Sequence, residues 1–108
     1  MEAGDVSRAL EHYRYVLERE EDPEALMYVG WMMYASGEPA TGASLLERSL
    51  SIAPDDPLAE WFLANVLLFG LEDPEAAIPL LESVIESGAA PADVIAAAER
   101  MLEEARSS

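Results

Sequence analysis

The chain has 108 residues, just over half of them hydrophobic, no cysteine, and a net charge of −16 from 22 carboxylates against six basic side chains. That composition gives one modest core, too apolar for a disordered tail, and it excludes disulfides and thiolate chemistry. The charge repels nucleic acid and anionic membrane surfaces, and no apolar run reaches the ~18–20 residues that cross a bilayer.

The first predicted helix covers about 5–20. In GDVSRALEHYRYVLE the apolar Ala9, Leu10, Tyr13, Val16 and Leu17 span more than one stripe, wider than a single neighbour covers. His12, the one histidine, shares a face with Arg8 and Glu11. With no positioned second group it reads as a solvated side chain, not a base. From Asp22 onward the punctuation is regular. Asp22-Pro23, Asp56-Pro57 and Asp73-Pro74 each precede an apolar segment. Aspartate caps the orphan N–H groups of a helix start, and proline fits the first helical position, where no N–H is needed. With Pro39 and Pro91 acting the same way, helices are predicted over 23–36, 39–53, 57–70, 73–87 and 91–106. Gly37, Gly70 and Gly88 stand where helix ends need a permissive residue.

These elements repeat. Pro23, Pro57 and Pro91 recur at one fixed interval, and the seventh position after each is Gly30, Ala64 or Ala98. The interval matches the period of about 34 residues that marks stacked helix–turn–helix units. The pentapeptide EDPEA, at 21–25, recurs at 72–76, one and a half periods later. The shared LLE cores at 45–47 and 80–82 are one position further apart than the period, which reads as one residue inserted in a loop.

Small residues at Gly30 with Gly42, and at Ala64 with Ala77, suit close helix crossings, with Leu26, Val29, Met33, Leu46 and Leu50 as bulk. Helix 39–53 is an ordinary amphipath that keeps Thr41, Ser44, Glu47, Arg48 and Ser51 for water. The helices at 23–36 and 57–70 are different. Nothing charged lies between Ala25 and Ala35, and only Glu60 and Asn65 interrupt the second. At 100° per residue, Met27, Trp31 and Tyr34 form a stripe beside the packing stripe. One period later it becomes Trp61, Asn65 and Leu68, and another brings Ile95, Glu99 and Leu102. This predicts a three-helix ladder of large side chains, an apolar stripe of the kind that marks a binding surface when it is left open. Trp31, Tyr34 and Trp61 are the residue types that dominate binding hot spots. Met27 and Leu68 serve equally as packing between helices. The acidic composition either keeps the protein in solution or suits an apolar partner whose basic residue reaches Glu24 or Glu99.

Chemistry is not expected. The acids at 19–22, Asp55-Asp56 and Glu103-Glu104 lack the alternating ligands and central glycine of a calcium loop. No glycine loop cradles a phosphate. The expectation is a non-enzyme with no cofactor and no metal.

The segment PEALMYVGWMMYASGEPATGASLLERSLSIAPDD resembles a tetratricopeptide repeat (TPR), through Leu26, Val29, Gly30, Gly42, Leu46 and Pro54. The next unit resembles it through Leu63, Ala64, Ala77, Leu81 and Ile85, with Trp61 one place from the usual tryptophan. The opening segment is similar to a back helix alone, with Ala9 as its small residue. The resemblance implies an all-α fold over 1–108, a right-handed superhelix of six helices: half a repeat, two full repeats and a final front or capping helix. It implies protein binding on the concave face. Asn65 coincides with an asparagine that many TPR proteins use to hold a ligand backbone, although a contact between helices would account for it equally. Basic residues that clamp a C-terminal carboxylate in TPR chaperone adaptors are replaced here by Met27, Trp31, Leu58 and Phe62, which argues against an acidic C-terminal ligand. More narrowly, YVGW, PLAEWFLANVLL and the LLE helix resemble membrane-anchored TPR proteins of bacterial cytochrome c maturation, which hold apocytochrome tails for haem attachment. That implies a soluble segment of an anchored parent. Two roles follow: a peptide-binding adaptor, or an assembly module packing on another copy or on the rest of a longer chain. For the second, Gly4-Asp5 resembles the turn after a missing front helix, which predicts weak self-association through helix 5–20.

Overall fold

The computed structural model describes residues 22–107, and the helix predicted over 5–20 lies outside them. Among the described residues every regular element is helical. They are α1 (Pro23–Ala35), α2 (Pro39–Ile52), α3 (Pro57–Asn65) continued by a π-helical turn (Val66–Gly70), α4 (Pro74–Ser87) and α5 (Ala92–Arg106).

The caps follow from local chemistry. The Asp22 carboxylate accepts from the N–H groups of Glu24 at 3.0 Å and Ala25 at 3.5 Å. Asp56 does the same for Leu58 and Ala59, and Asp73 for Ala76. Proline follows each aspartate as the first helical residue. At the far end of α1, Gly37 adopts φ +93°, its N–H bonds Tyr34 O, and Glu38 N–H reaches Met33 O at 2.8 Å. This paired closure needs a left-handed residue, which glycine supplies without strain. Gly88 ends α4 in the same region, at φ +62°.

Gly70 is different. It does not take a positive φ; the chain leaves the π turn through Glu72, at φ +52°. A β-carbon on Gly70 would stand 2.8 Å from Tyr34 Cε1 and 2.9 Å from Pro39 Cβ. The residue is small because α1 and the start of α2 press on it. The inserted residue is also corrected. It does not lengthen a loop, since the connections at 36–38 and 71–73 are equally long. It widens the last turn of the front helix instead, where Leu71 N–H bonds the carbonyl of Val66.

Consecutive helices pair: α1 with α2, α3 with α4, and α4 with α5, while α2 joins the two hairpins by packing on α3. Close crossing is possible because Gly30 and Gly42 face each other, and a β-carbon on Gly42 would lie 2.6 Å from Gly30 O. Ala64 and Ala77 are both fully buried. Ser49, also fully buried, donates its hydroxyl to Pro23 O at 2.7 Å and so ties the end of α2 to the start of α1. One core runs from Met27 through Leu46, Leu63 and Leu81 to Met101. A smaller one, Leu26, Val29, Met33 and Leu45, fills the α1–α2 hairpin.

Candidate functional site

The apolar composition of α1 and α3 has a visible outcome where the two helices meet. Phe62 stacks on Trp31, with ring centroids 4.6 Å apart and planes 24° from parallel. Tyr34 also packs against the Trp31 indole, at 5.3 Å. Tyr28 meets Phe62 edge-on at 6.5 Å, and Trp61 lies 5.9 Å from the same ring. Five aromatic rings from two helices thus form one connected cluster with Phe62 at its centre. Trp31, Tyr34, Trp61 and Phe62 are partly buried, whereas Tyr28 is 50% exposed and carries the cluster to the surface.

The eight residues predicted to line a groove fall in different places. Trp31, Tyr34 and Trp61 come together, through Phe62. Met27, only 3% exposed, and Leu68, at 9%, are packed in the core, the packing alternative for both. Asn65 Nδ2 donates to Trp61 O at 2.8 Å, a bond within its own helix. Ile95 packs on the main core from α5. Glu99 is exposed and lines a separate hollow of about 390 Å³ with Ile85, Leu102, Glu103, Arg106 and Ser107. Arg106 there donates to Glu82 at 2.9 Å. The observed cluster is therefore a shelf on α1 and α3, and Glu99 opens elsewhere.

Phe62 and Tyr28 are two ring partners that lie beside the predicted stripe. Their signal was present: Phe62 is Tyr28 carried forward by one repeat, on the flank of the stripe chosen. Trp61 carries a second feature. Its indole Nε1–H is buried, with no hydrogen-bond acceptor among the described residues. Such a donor costs about 1–3 kcal/mol when left unpaired.

The shelf presents aromatic contact area, with the Tyr28 ring half exposed. Among the described residues no group of histidine, cysteine or carboxylate side chains is disposed to hold a metal ion, and no helix is long and apolar enough to cross a membrane. Compared with known proteins, residues 1–57 match the family profile described as Tetratricopeptide repeat. No curated protein and no solved structure matches the chain.

Proposed function

This chain belongs to the tetratricopeptide repeat family, whose repeats mediate protein–protein interaction, and on that premise we propose that the aromatic shelf of α1 and α3 is where it binds its partner. The observation that carries the reading is the Trp31–Phe62 stack, extended to the surface by Tyr28. Core aromatics are normally enclosed, and rings that reach the surface as a connected group are the usual anchors of a protein interface. The role is non-catalytic: a scaffold or adaptor that holds an apolar peptide or helix across the front helices. The resemblance to the cytochrome c maturation proteins makes an apocytochrome tail one candidate for that segment.

The test uses peptides selected on the immobilised protein, together with a synthetic apocytochrome C-terminal peptide. Each is measured against wild type, Phe62→Ala and Ile52→Ala, the last an exposed apolar residue on α2. Phe62→Ala should weaken binding by about 2 kcal/mol, roughly 30-fold, and Ile52→Ala should leave it unchanged. Peptides indifferent to Phe62→Ala in a folded variant would move the site off this face. A second reading, assembly, draws on Phe69 within the π turn and Leu71 just after it, which are 50% and 39% exposed. Apparent mass that rises with concentration and returns to monomer in Phe69→Ser would favour it.

A further inference from the structure

Among the described residues, the two helices that carry the aromatic shelf bear charge of one sign only. Neither α1 nor α3 carries an arginine or lysine, and their only charged side chains are Glu24 and Glu60. Glu24 is exposed and stands four residues before the half-exposed Tyr28, a spacing that puts the two positions on one face of α1. Asp22 and Asp56 add two further carboxylates at the starts of these helices. Residues 22–107 hold 16 acidic and three arginine side chains, and two of the arginines lie on α5. The third, Arg48, is on α2. An electron-rich ring face beside a carboxylate attracts a cation, and neither helix of the shelf supplies one.

We propose that the segment bound on the shelf is an amphipathic one bearing arginine, with its apolar side chains on the Trp31–Phe62 stack and a guanidinium laid against Tyr28 beside Glu24. The inference rests on the docking reading above and deepens it. Arginine fits better than lysine for a physical reason. A guanidinium is planar, stacks on a ring and is weakly hydrated, so it keeps its hydrogen bonds to a carboxylate while covering the aromatic face. An ammonium is a strongly hydrated point charge that gives up water to make the same approach.

The probes are three synthetic peptides of about 16 residues, some 24 Å long as helices, identical except for the charged positions. One carries arginine, one lysine, and one citrulline, which keeps the shape of arginine without its charge. Binding can be read from the protein's own fluorescence with tryptophan-free peptides, because both tryptophans of the chain stand in the cluster. The arginine peptide should bind roughly two- to five-fold more tightly than the lysine peptide, with citrulline weakest. Glu24→Gln, checked for helicity, should narrow the advantage of the arginine peptide over the citrulline peptide, and Tyr28→Leu should do the same while weakening all three, because it also removes part of the shelf. Equal affinity for all three, with Phe62→Ala still weakening each, overturns the arginine assignment and leaves the docking site standing. Three peptides that fail to bind, or that ignore Phe62→Ala, overturn both.

Discussion

Gly42 shows how little room a single residue can have. A β-carbon there would stand 2.6 Å from Gly30 O and 3.1 Å from Tyr34 N, both backbone atoms that cannot swing aside. Alanine is the better helix former by about 1 kcal/mol, so in an open helix Gly42→Ala would stabilise. Here it must push α1 from α2, and the expected outcome is a net loss of about 1–3 kcal/mol in denaturant unfolding. A stability equal to wild type would mean that the two helices part at little cost. Trp61 offers the opposite case. Its unpaired N–H is a liability that phenylalanine lacks. Trp61→Phe should therefore melt at or above the wild-type temperature, whereas Trp61→Ala, which also removes the ring from the core edge, should lose about 2–4 kcal/mol. Equal losses in the two variants would show that the indole N–H has a partner after all.

Among the elements, the front helix of the second repeat is the irregular one. It has one residue more than α1, held as a π turn at Val66–Gly70. The excess is offset further along: three residues separate Ser87 from Pro91, against four between Ile52 and Pro57. Ala64 and Ala98, one repeat apart, remain fully buried at corresponding places. Deleting the half-exposed Phe69 should thus close the turn to an ordinary α-helix and leave a folded, all-helical protein, with thermal stability within about 1 kcal/mol of wild type. Loss of cooperative melting would contradict this. Three helix starts were legible in the sequence because an aspartate cap and a proline act within one helical turn. By contrast, α2 starts on Pro39 with no side-chain cap, and Pro91 stands just before α5 and not in its first turn. The π turn was not legible. An interval one position longer than the period reports an extra residue but not its place, and the reason for Gly70 is the Tyr34 ring, which lies in the preceding repeat.

At the scale of the whole molecule the period was readable, and so was the pairing of 23–36 with 39–53 and of 57–70 with 73–87, because repeated small residues fix where helices cross. The aromatic shelf was readable only in part. Carrying one stripe forward from repeat to repeat assumes that every helix shows the same side to the same space. Met27 and Leu68 break that assumption by turning into the core, and Glu99 does so by opening beside Ile85 on the α4–α5 side. Trp31 and Tyr34 needed a ring from another helix to become a surface, and Phe62 is that ring.

The contact between Gly70 and Tyr34 links the irregular turn to the aromatic shelf, since Tyr34 touches Trp31 and Trp31 rests on Phe62. A π turn interrupts the regular bonding of the α-helix before it, so it is a natural place for local opening. Each opening would withdraw the backing of the Tyr34 ring, and by linkage a ligand that needs that ring in place must hold the turn closed. In hydrogen–deuterium exchange the amides of Phe69, Gly70 and Leu71 should exchange faster than those of Leu63 or Ala64. A peptide seated on Trp31 and Phe62 should slow them without touching them. Unchanged exchange at the turn in the bound state would mean that the shelf is rigid without its support, and that Tyr34 holds its place unaided.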